Sequence, residues 1–474
     1  MLEKVFKLKE HGTTVRTEIL AGLTTFVTMA YIIALNPNMM TNFETGSPLW
    51  NGIFLSTCIA PAIGMLVMAF YANKPFALGP GMGLNVFFAA VAANIVTVTG
   101  FTYLKAYQSA LCIILIEGIV FLALSVFNVR DKIINAIPLG IRLGISPAVG
   151  IMLLNIGFGS NAGVYSETGG PFYMMRDFFG ALTPDFARMA MGSGYSQMVL
   201  NVITAFIGLY VIVILAQRKV PGAMLLGMLV ASVFYWICEA VFMHTNPFAS
   251  LATATFVPPF ADMVETTLFK FDFRGFLEVG WLTAVTLILS FGIIDMFDTI
   301  GTVIGAASLG GMLDEDGNMP GMKETLTSDA VATIAGAVTG NCTITTFVES
   351  SAGVEAGGRT GLTALTCAVL FGACIFIAPI AALIPPAVTS AALMYVGILM
   401  ISGLRNLDFS DATQLVPAAL MLITVPISSS IGNAIGIAMI TFCVIKMFTG
   451  RAKEVHWLTY AISVVFILKF FLIV

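Results

Sequence analysis

Apolar runs of spanning length recur along the chain at about 18–37, 51–72, 104–127, 138–158, 197–216, 219–243, 278–306, 325–342, 362–384, 386–403 and 430–448. A hydrocarbon core ~30 Å thick needs ~20 apolar residues of helix, so each run is expected to cross a bilayer. Three further runs are short or interrupted: Phe76 to Val98, the stretch around Glu349, and Ala412 to Ile427, which carries Pro417 and Pro426. Together they predict an all-α polytopic membrane protein of 14 transmembrane segments. A last apolar run, His456 to Leu472, holds Lys469 and reads as a fifteenth crossing or an interfacial helix.

Basic residues orient these segments. With the N-terminus inside, every lysine and arginine falls on the cytoplasmic side except Lys105, Arg176, Arg188, Lys270 and Arg274, with Lys469 unassigned. That bias supports 14 crossings and a cytoplasmic N-terminus in a cell (inner) membrane. No small-residue cleavage pattern follows the first run, so it is expected to be retained. Arg130-Asp131-Lys132 and the isoleucines after it read as a short interfacial helix, and Asp314 to Asn318 as a solvated turn.

Two interrupted segments resemble each other. FALGPGMGLN at Phe76 to Asn85 is an extended, Gly-Pro-rich approach to a helix, and so is Thr345 to Gly353, where Ser350 and Ser351 would open a half-helix stopping at Gly357-Gly358. Thr28 and Asp295 are separated by nearly the same length of chain as Asn85 and Glu349. Seven segments per half is odd, so the second half is expected to be inverted relative to the first. Paired broken segments in inverted halves point to a transporter's midplane site. The broken backbone there would offer the free amides of Ser350 to Ala352 to a ligand.

The chemistry lies in a few carboxylates. Glu349 sits at the second break, and Asp295 lies about 21 Å along its helix from Trp281, well inside the core. Asp298 is one turn further on the same face, where mutual repulsion favours a proton on one of the pair; it reads equally as a ligand or a scaffold carboxyl. Asn85 closes the first break and could donate and accept at the same place. Phe291, Phe297, Phe347, Phe87 and Phe88 supply aromatic faces. No lysine or arginine is apparent near the breaks, which argues against an anion held by ion pairing. A flat, neutral heterocycle with several donors and acceptors fits these groups.

Composition removes other classes. The seven cysteines are odd in number with no CxxC pair, and the three histidines are scattered, so neither a metal nor another cofactor is expected. No basic patch points to nucleic acid. HExxH, GxSxG and the Gly-x-Gly-Asp of intramembrane aspartyl proteases are absent, so an enzyme is not expected.

GLTTFVTMAYIIALNP (Gly22–Pro37), GPGMGLN (Gly79–Asn85), DMFDTIGT (Asp295–Thr302) and TTFVESSAGVEAGGRTGLTA (Thr345–Ala364) resemble the second class of nucleobase–cation symporters, in particular the AzgA-like hypoxanthine, adenine and guanine permeases. The resemblance implies a seven-plus-seven inverted repeat whose third and tenth segments each contain a short strand and a half-helix. It implies a core domain from residues 1–127 and 278–384 and a gate domain from 128–277 and 385–474. It places the purine on Asn85, Asp295 and Glu349, with Ser350, Ser351, Phe347 and Phe291 beside them and Asp295, Asp298 and Glu349 available for proton coupling. The implied partners are a purine base, H⁺ and the bilayer, with a homodimer formed through the gate domain.

Overall fold

The computed structural model describes residues 2–41, 44–127, 137–159, 162, 195–252, 254–314, 319–428 and 430–472. Arg176, Arg188 and the interfacial helix expected around Arg130 lie outside the described residues, as does most of the acidic turn after Asp314. Among the described residues, 11 helices are long and apolar enough to cross a membrane. The protein is therefore a mostly helical, multi-pass membrane protein.

Helix bounds follow the apolar runs with three physical exceptions. The first run is broken at Ala30-Tyr31, between helices Val15–Met29 and Ile32–Met40, the second of which contains Pro37. The run expected at 325–342 is the helix Met322–Thr339, which carries Lys323, Glu324 and Asp329 and is not among the 11 candidate spans. The run expected at 362–384 is helical over Gly361–Ala373, tightens into a 3₁₀ turn at Cys374–Ile377, and restarts at Ala378–Ala381 with a proline in its first turn. The half-helix expected from Ser350 is the helix Ser350–Glu355.

Both interrupted segments contain a three-residue strand. β1, Leu78–Pro80, pairs antiparallel with β2, Ile344–Thr346, with Gly79 opposite Thr345. Two further bonds extend the ladder, from Phe347 N–H to Ala77 C=O (3.0 Å) and from Gly81 N–H to Thr343 C=O (3.1 Å). Gly79 permits this pairing: a Cβ there would stand 2.7 Å from the Phe347 ring, so a side chain would push the ring off the strand. Proline at position 80 removes one ladder donor, and the pair is correspondingly short.

Around this centre, helix Pro48–Val67 packs on Met322–Thr339 and Gly361–Ala373, and Tyr103–Val126 packs on Met322–Thr339 and Trp281–Leu309. Helix Leu139–Gly157 packs on Pro386–Ile401 and Ala412–Ser428, while Tyr195–Gln217 packs on Ala223–Phe242 and Pro386–Ile401. Helix Met82–Thr99 packs on Tyr103–Val126 and meets the second group where Gly83, in its first turn, lies against Val149 with no space for a Cβ.

One side chain distant in sequence and one nearby cap the broken elements. The buried Glu18 carboxylate accepts from the backbone N–H groups of Arg359, Thr360 and Thr363 and from the Thr363 hydroxyl (2.6 Å), filling the positive end of helix Gly361–Ala373. Arg359 donates to the Val354 and Gly358 carbonyls at the negative end of the half-helix. Each end carries the charge its dipole favours.

A polar clamp closes the C-terminal end. Lys446, buried on helix Ile431–Phe448, pairs with Glu454 at 2.7 Å, and Arg451 reaches both Glu454 (2.8 Å) and Asp411 (3.7 Å). Hydrogen bonds from Arg451 and Lys446 hold the Glu454 carboxyl down at about 2, and those from the Thr413 hydroxyl and N–H hold Asp411 below its usual value. Because the folded values are depressed, the clamp's contribution is complete above the unfolded carboxyl value of ~4.3. It is lost as pH falls from there through about 2. Thermal unfolding in detergent at pH 6 and pH 3 is expected to show a smaller acid-induced loss for Glu454→Gln than for the unsubstituted protein. Equal losses would mean that the clamp contributes nothing.

Candidate functional site

The strand threonines do more than favour an extended chain. Thr343 donates to Glu117 Oε2 (3.4 Å), Thr346 donates to Asp329 Oδ1 (3.2 Å), and the Thr345 side chain hydrogen-bonds Asp298. Thr299, on the Asp295 helix, donates to Asp329 Oδ2 (2.9 Å) and lies 3.5 Å from Asp295 Oδ1. Glu117, Asp295 and Asp329 are buried, and Asp298 is half-buried. Hydroxyls thus face each of these carboxylates around β2. A neutral donor satisfies a buried carboxyl in either protonation state, since a hydroxyl can also accept.

Glu349 caps the half-helix and accepts a 2.7 Å hydrogen bond from the Tyr31 hydroxyl. Tyr31 occupies the break between helices Val15–Met29 and Ile32–Met40, so one irregular segment holds the key side chain of another. Glu349 also lies close enough to Asp298 for their charges to interact.

Behind the strands is an amide network. Asn85 Nδ2 donates to Asn36 Oδ1 (2.6 Å), and Asn36 Nδ2 donates to Thr57 Oγ1 (2.7 Å) and Asn341 Oδ1 (3.1 Å). Asn341 Nδ2 closes the set on Thr57 at 3.2 Å. All four residues are fully buried, and Asn85 Oδ1 has no hydrogen-bond partner among the described residues. The network joins the first break, the segment before β2 and two helices.

A cavity of about 270 Å³ opens in front of this assembly. Its wall includes Asp298, Ser351, Val348, Phe297, Gly83 and Arg142. Asp298 and Ser351 therefore reach the cavity directly, and Val348 and Ser351 bracket Glu349. Asn85, Asp295, Ser350, Phe347 and Phe291 are buried outside its lining. Phe291 packs on Phe87 at 4.5 Å between ring centroids, Phe347 packs against Gly79, and the Ser350 hydroxyl bonds Ala77 across the strand gap (3.0 Å to its N–H). Among the described residues no three His, Cys, Asp or Glu side chains are placed to hold a metal ion.

Two expectations need correction. The amides of Ser350, Ser351 and Ala352 are occupied: they donate to Phe347, Val348 and Glu349 carbonyls at 3.0, 2.9 and 3.1 Å, because the half-helix opens with a tight turn. A basic residue does stand at the cavity. Arg142, counted from sequence only as a cytoplasmic charge, lies in the first turn of helix Leu139–Gly157 and faces the wall carrying Asp298. Tyr31, Asn36 and Asn341 were also not singled out from the sequence. Polar side chains inside or ending apolar runs were the available signal.

A multi-helix bundle in which two broken segments meet beside a cavity lined by carboxylate is the architecture of a membrane transporter. A family model described as "Permease family" matches residues 16–441. The chain belongs to that family, and it is a transporter rather than an enzyme. It is 35% identical to the adenine permease AdeP of Escherichia coli over 99% of this chain and 96% of that protein. It is 32% identical to the guanine/hypoxanthine permease PbuO of Bacillus subtilis over 99% of this chain and 100% of that protein. Among solved structures, the transmembrane domain of a cyanobacterium bicarbonate transporter, BicA, superposes with a TM-score of 0.58 at 17% identity, covering 89% of this chain and 96% of that one. This last likeness concerns the fold alone.

The amide network generates a stability prediction. Asn36→Ala leaves the Asn85 amide without its acceptor and takes one donor each from Thr57 and Asn341, which keep their other bonds, in a dry interior; it is expected to cost about 2 to 4 kcal/mol. Chemical or thermal unfolding in detergent should show this loss, and a smaller one for Asn85→Ala.

Proposed function

We propose that this permease imports purine nucleobases across the cell (inner) membrane, coupled to inward proton movement. The observation that carries this reading is the cavity: about 270 Å³, suited to a small ligand, with Asp298 and the Glu349 half-helix at one wall. The purine permeases among its relatives support the substrate class. Glu349 and Asp295 would take the N–H edge of the base, with Asn85 behind them, while Asp298 and Glu349 carry the coupling proton. Hydroxyl partners suit that task, because they serve a carboxyl with or without its proton.

In this reading the chain forms 14 segments as two inverted halves, with the N-terminus in the cytoplasm. Residues 1–127 and 278–384 make a core domain that moves against a gate domain of 128–277 and 385–474 to alternate access, and the gate domain pairs two copies. The Gly83–Val149 contact would be one surface on which that motion slides. A second reading, an anion carrier, is favoured by one observation: Arg142 at the cavity.

Uptake of labelled hypoxanthine, guanine and adenine into proteoliposomes, with an imposed proton or Na⁺ gradient, distinguishes these readings. Purine uptake that follows the proton gradient and falls by at least ~10-fold in Glu349→Gln is expected, from the loss of a charged hydrogen-bond acceptor. Uptake indifferent to Glu349→Gln would remove the clamp. Competition by bicarbonate or chloride rather than by purines would favour the anion carrier.

A further inference from the structure

Among the described residues, Arg142 is the one cationic side chain in the cavity lining, and Asp298 is the one carboxylate there. They project from different helices, Leu139–Gly157 and Trp281–Leu309, which the proposed mechanism assigns to opposite domains. The Arg142 guanidinium carbon stands 6.0 Å from the centroid of the Phe297 ring, also a lining residue, within the range of a cation–π contact. Its Nε is buried and has no hydrogen-bond partner among the described residues. A guanidinium is donor-only and a carboxylate is acceptor-only, so a ligand between these walls is read for an acceptor on one edge and a donor on the other.

We infer that Arg142 is a specificity-determining residue that recognises the carbonyl at the six-position of an oxopurine. This rests on the purine reading above and extends it to a substrate class. Hypoxanthine and guanine carry a carbonyl oxygen there, which accepts from the guanidinium. Adenine carries an amino group, a donor that faces another donor and leaves both unpaired. A site built around such a hydrogen bond discriminates far better than one built on shape alone. The planar fork also matches the six-position carbonyl oxygen and N7 of an oxopurine as a two-point acceptor, whereas the N1–H beside that carbonyl is a donor.

The test is competition and uptake kinetics in proteoliposomes for hypoxanthine, guanine and adenine, with Arg142→Gln, Arg142→Lys and the unsubstituted protein. In Arg142→Gln the ratio of kcat/KM for hypoxanthine to that for adenine is expected to fall by ~10-fold or more, the loss of one charged hydrogen bond. Arg142→Lys, which keeps the charge but not the fork, is expected to fall between the two and serves alone if the glutamine variant does not fold. A uniform loss for all three bases, or an unchanged ratio in a folded variant, overturns the assignment; uniform loss would make Arg142 a gate or scaffold charge. If the unsubstituted protein takes up no purine, the proposed function fails first, and the inference falls with it.

Discussion

A backbone that leaves helical geometry inside a bilayer has no water to satisfy its N–H and C=O groups. Here two such segments satisfy each other. β1 and β2 are each three residues long, too short to be stable alone, and their pairing across the chain supports the irregular polypeptide on either side. Gly79 gives the Phe347 ring its place, Ser350 ties the half-helix to Ala77, and the asparagine network seals the space behind. Residues just beyond each strand, Gly83 and Leu84 after one and Val348 and Ser351 after the other, line the cavity, so the pairing brings these walls together.

The same strand organises the charge. Each threonine of Thr343, Thr345 and Thr346 answers a carboxylate on a different helix, so β2 and the residue before it gather three acidic groups on hydroxyl partners. Buried ion pairs would lock these carboxylates in their ionised form. A hydroxyl can partner a carboxyl with or without its proton, which the proposed proton coupling would need.

The sequence made the coarse plan legible because lipid imposes it: long apolar runs, a lysine and arginine bias, and glycine-proline breaks are one-dimensional consequences of a bilayer. Glu349 and Asp298 could be read the same way, since a carboxylate at membrane depth is conspicuous. Arg142 could not, because its distance from the end of an apolar run places it near the cytoplasm and only the packing of Leu139–Gly157 turns it toward the cavity. Tyr31 was hidden for a related reason: a run of apolar residues conceals a helix break unless glycine or proline marks it, and none stands at Ala30-Tyr31. The half-helix amides were misjudged because a tight opening turn and an open one have the same sequence signature.

The strand pair also dictates an order of assembly. β1 emerges from the ribosome roughly 270 residues before β2, so at ~5–20 residues per second its polar backbone waits for roughly 13 to 50 seconds without its partner. Glu18 waits longer still for the helix it caps, which begins at Gly361. During that interval the first half of the protein holds a strand without its partner and a Glu18 carboxylate without the amides it caps. The native contacts of the first half are therefore complete only once the second half has been made.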